Sequence, residues 1–434
     1  MSEPKVSTNP LRRLKSSLTD LRERHRERHQ PTGFGFVFAD RVDYLDPVRW
    51  DAVAAPSSFF LRREVLRVIE EHGPENIVPR YALIFRGGKP VAALAVQIVT
   101  VTGERLRRRK EVVAADTSAG LLRRMLAPAA RKATQGLQER VLVAGNLLSW
   151  GFHGIAFAED EDPQLLWPAI SEAVYRIRRA ERLSGQTDLV MIKDLTTRQL
   201  GTEALHRFSY RPMETEPNMV LEIDANWRTY PDYLAALDAK YRRKVKDQNK
   251  KLAAAGCTIE QLTDVQPHTR RLHELYLAVH GNASVRLVTL RENYLGALAK
   301  AVAENFRCTV IRRGTEIVGF VTSVRDGDTA IGYYIGFDRE VVAATGAPIY
   351  LSLLHATIAD AIAWRCTRLS LGRTALEPKA GLGAKPEPMS IWLRHRVPAL
   401  NWMIRGFLGS VPHDEAPERS PFKATSNEME SPSN

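Results

Sequence analysis

Cysteine is scarce in this chain: three in 434 residues, Cys257, Cys308 and Cys366, far apart and with no CxxC pair. That spacing excludes a disulfide framework and a cysteine zinc site, and it fits a reducing cytoplasm. There is no run of eighteen apolar residues, so no membrane-spanning helix is predicted. Residues 1–30 lack the apolar centre of a secretory signal. No G-x-S-x-G nucleophile turn occurs around Ser149 and His153. His206, His268, His273, His280 and His355 show no metal-ligand spacing, so no metal is assigned. Acidic residues are outnumbered, 50 against 62 basic ones, for a net charge of +12. An excess of that size points to an anionic partner: nucleic acid, nucleotide phosphates or an acidic membrane surface.

What is present is a chain long enough for two or three domains, with 44% hydrophobic residues to fill their cores. Residues 1–35 read as a basic arm, with leucines at helical spacing among its arginines. Residues 396–434 read as an amphipathic segment, with Trp402, Met403, Ile404, Phe407 and Leu408 beside Arg396 and Arg405, followed by a polar tail. Between these arms the pattern repeats. In residues 36–223, strands at 81–86 and 90–102 flank a Gly87-Gly88 hairpin turn. Helices at 62–71, 120–134 and 165–183 and strands at 140–144 and 188–193 complete the unit. In residues 224–395, helices at 232–255, 269–280 and 290–304 precede strands at 307–313, 316–325 and 329–337. A Gly-centred turn at 344–348, a helix at 349–364 and a strand at 366–372 follow. The expected fold is α/β (α+β): two tandem units, each a mixed sheet flanked by helices, rather than one large sheet.

Four constellations can carry chemistry. The helix at 232–255 has Lys240, Arg242, Arg243, Lys244, Lys246, Lys250 and Lys251 with Asp247 as the one acid between 240 and 251. A face so one-sided forgoes i,i+4 pairing and suits phosphates, which selects Arg243 and Lys244 as substrate-binding candidates. The turn Thr345-Gly346-Ala347 ahead of Pro348 offers backbone N–H groups at a helix start, a place to hold a pyrophosphate. In Tyr333-Tyr334-Ile335-Gly336-Phe337-Asp338, strand alternation sets Tyr333 and Ile335 on one face and Tyr334 on the other. A tyrosine hydroxyl in a cleft can donate a proton to a leaving thiolate, and Asp338 can orient an amine, act as a base, or simply end the strand. Arg373 follows a Gly at the carboxyl end of a strand, with Lys379 close behind, where open α/β sheets bind ligands.

Taken in order, these pieces resemble a known family. Lys240-Tyr241-Arg242-Arg243-Lys244-Val245, Gly332-Tyr333-Tyr334-Ile335-Gly336-Phe337-Asp338, Gly346 opening a helix, and Leu371-Gly372 with Lys379 and Gly381 are similar to the second unit of the double-GNAT proteins, the FemAB-like peptidoglycan bridge transferases and their relatives. The likeness spans about residues 36–396. It implies an N-acyl or aminoacyl transfer from acyl-CoA or aminoacyl-tRNA to an amine on a small molecule or a cell-envelope precursor. It also implies catalytic roles for Tyr334 and Asp338, donor binding at Thr345, Gly346, Ala347 and Arg373, and phosphate binding at Arg243, Lys244 and Lys379. A contrasting expectation is a non-catalytic binder of a polyanion or of a membrane surface, using the basic helix; tRNA is the one specific nucleic acid that the resemblance admits.

Overall fold

A computed structural model describes residues 30–102, 138–281, 287–398, 401 and 419–423. The first unit runs β1 (Gly35–Ala39), α1 (Pro47–Ser57), α2 (Arg63–His72), β2 (Ile77–Arg86), β3 (Lys89–Thr102), β4 (Gln138–Ala144), β5 (Ile155–Phe157), α3 (Pro163–Ala180), β6 (Leu189–Leu195), α4 (Ala204–Arg207) and β7 (Arg211–Glu222). The second runs α5 (Tyr230–Ala236), α6 (Ala239–Ala254), β8 (Cys257–Gln261), α7 (Thr269–His280), α8 (Tyr294–Val302), β9 (Phe306–Arg313), β10 (Glu316–Asp326), β11 (Thr329–Phe337), α9 (Arg339–Thr345), α10 (Ile349–Ala363), β12 (Arg368–Ser370), α11 (Leu376–Ala380) and β13 (Lys385–His395). The expected helix at 120–134, most of the basic arm and the tryptophan-bearing segment beyond Asn401 lie outside the described residues.

Local chemistry sets these elements. Gly87 and Gly88 both have positive φ, 56° and 84°, the two left-handed positions a tight hairpin between β2 and β3 requires. Asp162 caps α3 through Gln164 N and Pro163 fills its first position. Thr229 and Asp232 form a reciprocal cap on α5.

The repetition is visible in the sheet. In the first unit, β1, β2, β3 and β4 form an antiparallel run, and after α3 the chain returns as β6, parallel to β4. In the second, β8, β9, β10 and β11 do the same, and after α10 the chain returns as β12, parallel to β11. The units do not keep separate sheets, however. β7, which leaves the first unit, pairs with β12 of the second; β13, which leaves the second, pairs with β6 of the first. β7 and β13 then pair with each other from Leu393↔Arg211 to Lys385↔Val220. The result is one 13-stranded sheet ordered β1-β2-β3-β4-β6-β13-β7-β12-β11-β10-β9-β8, with β5 on β3.

The units also share a core. Phe59, Phe60 and Val65 of the first are buried with Leu272, Tyr294, Leu298 and Phe320 of the second in one cluster. On the opposite face α10 is buried through Leu353, Leu354, Ile358 and Ile362. Among the described residues no single helix is long and apolar enough to cross a membrane.

Two expectations are corrected. The helix predicted at 232–255 breaks at Leu237, which is extended (ψ 150°) and buried. The polar tail, expected outside the fold, returns to that break. Half-buried Phe422 packs against Trp227 and Tyr233, Asp238 N donates to Pro421 O at 2.8 Å, and Lys423 N donates to Ala236 O at 3.1 Å. Backbone groups freed by the break thus find partners in a segment 180 residues downstream, which periodicity cannot register.

Gly336 marks how closely α7 lies on β11. A Cβ there would sit 2.5 Å from the Leu275 carbonyl carbon and 2.6 Å from Tyr276 N, both backbone. Gly336→Ala therefore forces the helix off the strand; the expected loss is about 1–3 kcal/mol, read as a fall in the urea midpoint at unchanged slope.

Candidate functional site

The predicted residues separate into three places. Tyr333 and Tyr334 do not alternate. Between Val321↔Ile335 and Ser323↔Gly332 the two tyrosines stand opposite the single residue Thr322, a β-bulge. Tyr334 N donates to Thr322 Oγ1 at 3.0 Å, and the two tyrosine rings meet at 4.5 Å on one side of the sheet, while Ile335 packs in a different cluster. Tyr334 Oη donates to Leu148 O of the first unit at 3.1 Å, and burial holds its phenol well above the ordinary value. It stays a neutral hydroxyl bound to a carbonyl.

Asp338 ends the strand and caps α9, accepting from Glu340 N at 2.9 Å and Val341 N at 3.2 Å, and it faces Arg271 at 3.3 Å. The strand does not run straight into the helix at 349, because α9 intervenes. Gly346 (φ 64°) is the left-handed cap of α9, Thr345 Oγ1 donates to Val341 O at 2.7 Å, and Ala347 is buried. Gly346 N donates to Val342 O at 2.9 Å and Ala347 N to Thr345 Oγ1 at 3.2 Å. Those two N–H groups are therefore not left over for a pyrophosphate.

Arg373 meets the first unit instead, and Lys379 turns back onto the strand end that precedes it. Asp194, fully buried at the end of β6, binds both Lys193 Nζ and Arg373 Nη2. Its backbone is left-handed (φ 60°), and its Oδ2 also accepts from Gly151 N at 3.0 Å. Lys193 Nζ donates to Ser149 O at 2.7 Å; Lys379 Nζ donates to Gly372 O at 3.1 Å. Trp150 lies across Gly372, where a Cβ would meet its ring at 3.0 Å, and its indole N–H reaches Ser370 Oγ at 3.1 Å. The loop after β4 thus plugs the end of β12. Burial, and then the nearby Arg373, press the Lys193 ammonium well below its usual value; burial brings Arg373 down to about 10 and Lys379 down to about 7. Asn146 Nδ2, Ser149 Oγ and Arg373 Nε are buried here without a partner among the described residues.

Lys244 opens onto a third place, a cavity of about 450 Å3. Its walls are α6 (Lys240, Lys244, Gln248), α10 (Leu351, His355) and α11 with the returning tail (Glu377, Arg419). Glu377 is taken up by Arg419 at 2.6 Å, whereas Lys240 and Lys244 have no carboxylate partner among the described residues. Gln248 Oε1 is buried without a hydrogen-bond donor among the described residues. His355 Nδ1 lies 2.9 Å from Tyr230 Oη, and burial pushes the imidazole down to about 4, so it is neutral at physiological pH. Arg243 is exposed and does not line this cavity.

The segment that frames the cavity, from the first residue of α6 to the last of α11, matches the acetyltransferase (GNAT) domain family over residues 239–380. The match covers about a third of the chain and is a likeness of that segment to the family. The first unit repeats the strand order of this segment: antiparallel strands, a helix, then a parallel strand. Solved structures are similar at low identity. A tandem GNAT protein from the clavulanic acid biosynthesis pathway is 12% identical, with 84% of this chain and 99% of that one covered and a TM-score of 0.44. FemX is 10% identical over 78% of this chain and 96% of its own, with a TM-score of 0.47. The C-terminal domain of a putative lysylphosphatidylglycerol synthetase from Agrobacterium fabrum is 16% identical over 64% and 86%, with a TM-score of 0.40. Among curated proteins none matches.

Of the residues selected from the sequence for phosphate binding, Lys244 lines this cavity and Arg243 does not; Gln248, His355 and the Lys193–Asp194 pair were not selected. A charged Lys-Asp at the end of an apolar strand was the available signal for the last. Gln248 gave none, because only the packing of α6 removes its carbonyl from water.

Two outcomes follow. Asp194→Ala leaves Lys193 and Arg373 buried without their counter-charge, and a loss of about 3–5 kcal/mol in urea unfolding is expected. For His355, the folded value of about 4 lies below the unfolded 6.5, so its contribution is complete above pH 6.5 and is lost as pH falls from 6.5 towards 4. The full effect is roughly 3 kcal/mol. His355→Gln should flatten the melting-temperature profile across that window; an unchanged profile assigns the acid sensitivity elsewhere.

Proposed function

We propose that the chain is an acyltransferase that moves an acyl group from a phosphate-bearing activated donor, acyl-CoA or aminoacyl-tRNA, to an amine. The observation that carries this reading is the coincidence of the GNAT match with the cavity: α6, α10 and α11, which wall it, are the start, middle and end of residues 239–380. Lys240 and Lys244 supply uncompensated positive charge for donor phosphates. Gln248 Oε1 offers an acceptor to an amide or amino N–H of the donor, and neutral His355 offers a hydrogen bond without adding charge. In the transfer the amine nitrogen attacks the acyl carbon, the new C–N bond forms, and the C–S or C–O bond to the donor breaks. The amine proton ends on the departing thiolate or alkoxide. Positioning two reactants in a walled cavity supplies much of such an acceleration. The first unit then serves as partner wall and acceptor side, and an amine on a cell-envelope precursor is one acceptor class.

A second reading, a polyanion or membrane-surface binder, is favoured by the outer face of α6. Arg243, Lys246, Lys250 and Lys251 are exposed there and unpaired among the described residues, away from the cavity.

Isothermal titration with acetyl-CoA and longer acyl-CoAs, and with aminoacyl-tRNA, separates the two. The expected result is saturable binding of one donor that weakens about tenfold or more in Lys240→Gln/Lys244→Gln, while Lys250→Gln/Lys251→Gln leaves it in place. Binding of heparin alone, lost with rising salt and sensitive only to the outer lysines, would sink the transferase reading.

A further inference from the structure

We infer that the first unit holds a separate binding site for a phosphate-bearing ligand, in the cavity between α3 and the chain that enters β1. The cavity measures about 430 Å3, within the range of small-ligand sites, and it shares no lining residue with the one beside α10. α3 holds in the first unit the place that α10 holds in the second, ahead of the strand that returns parallel to its neighbour.

The charge of its walls is unbalanced. Glu172 is the one acid among the described lining residues, and it is consumed: Thr32 N and Oγ1 donate to Oε2 at 2.8 and 2.6 Å, and Arg176 Nε donates to Oε1 at 2.9 Å. Arg179 and Arg394 also line the cavity, and neither has a carboxylate within ion-pair distance among the described residues. Arg394 lies over the Tyr210 ring at 5.9 Å and also hydrogen-bonds the Tyr210 hydroxyl, which engages part of its five-donor fork and neutralises none of its charge. Arg178, next along α3, is lowered by burial and then by Arg394, a sign that positive charge is crowded on this side. Ser171 lines the same cavity, is 2% exposed, and its hydroxyl has no hydrogen-bond partner among the described residues.

Two uncompensated guanidinium groups and a buried unpaired hydroxyl match a group with several anionic oxygens, which is phosphate chemistry. Phe208 and Pro168 give the remainder of such a ligand an apolar wall. Residues 1–29 do not fit the charge, since Arg12, Arg13, Arg22, Arg24, Arg26 and Arg28 make them basic. The inference stands on the charge and packing of the first unit and does not rest on the transferase reading.

The test is titration of the full chain with inorganic pyrophosphate and with ADP, beside co-sedimentation with phosphatidylglycerol and phosphatidylcholine vesicles. Arg179→Gln/Arg394→Gln should weaken pyrophosphate binding at least tenfold at an unchanged melting temperature. Lys240→Gln/Lys244→Gln should leave that component intact, so failure here and failure of the transferase reading are distinguishable. If the double variant does not fold, exposed Arg179→Gln alone carries the test, with several-fold weakening expected. ADP binding that depends on the arginines identifies a soluble nucleotide; binding to phosphatidylglycerol vesicles with the same dependence identifies a lipid headgroup. Absence of saturable binding to every probe, or binding that survives loss of the arginines, overturns the proposal.

Discussion

The exchange of β7 and β13 is the constraint on which the rest of this molecule depends. Each unit's sheet ends on a strand supplied by the other half of the chain, so neither unit can satisfy its own edge alone. An open edge carries a row of unpaired N–H and C=O groups, and pairing β7 with β13 along most of their length removes both edges at once. The shared apolar cluster on one face follows from the same arrangement, because a sheet continuous across the centre brings α2 of the first unit against α8 of the second.

That geometry also sets the polar chemistry at the centre. The ends of β4 and β6 meet the end of β12 and its following loop, and Asp194 lies between two cations contributed by both halves. A buried carboxylate there is tolerable only because Lys193, Arg373 and the Gly151 N–H all point at it. Trp150 fills the space over Gly372, where a side chain on the glycine would collide. Arg373 is therefore held across the junction by Asp194, and Lys379 by the Gly372 carbonyl, and neither lines the cavity beside α10.

Much of this was legible in the residues. The Gly87-Gly88 hairpin, the meander ending in β11 and the helix at Ile349 follow from turn chemistry and periodicity, and the order of pieces resembles the acetyltransferase-like family. The one-sided charge of α6 led to Lys244, which does line a cavity. Other features were hidden by the nature of the signal. Strict alternation put Tyr333 and Tyr334 on opposite faces, but a bulge opposite Thr322 is stabilised by a side chain on another strand and leaves no local mark. Asp338 and the Thr345–Ala347 corner looked like chemistry because capping residues and ligand-binding residues are of the same types.

By itself the sequence determined the element types, the repetition of one α/β unit, and the clustering of positive charge, because these depend on residues close together in the chain. Tertiary structure alone decided that the two units share a sheet, that Phe422 seals the break at Leu237, that Asp194 joins Lys193 to Arg373, and that Gln248 and Ser171 present buried atoms without partners among the described residues. The contacts among these join groups roughly 145 to 205 residues apart, and the rest is burial, which raises the cost of an unpaired charge or hydrogen-bonding atom far above its cost in water.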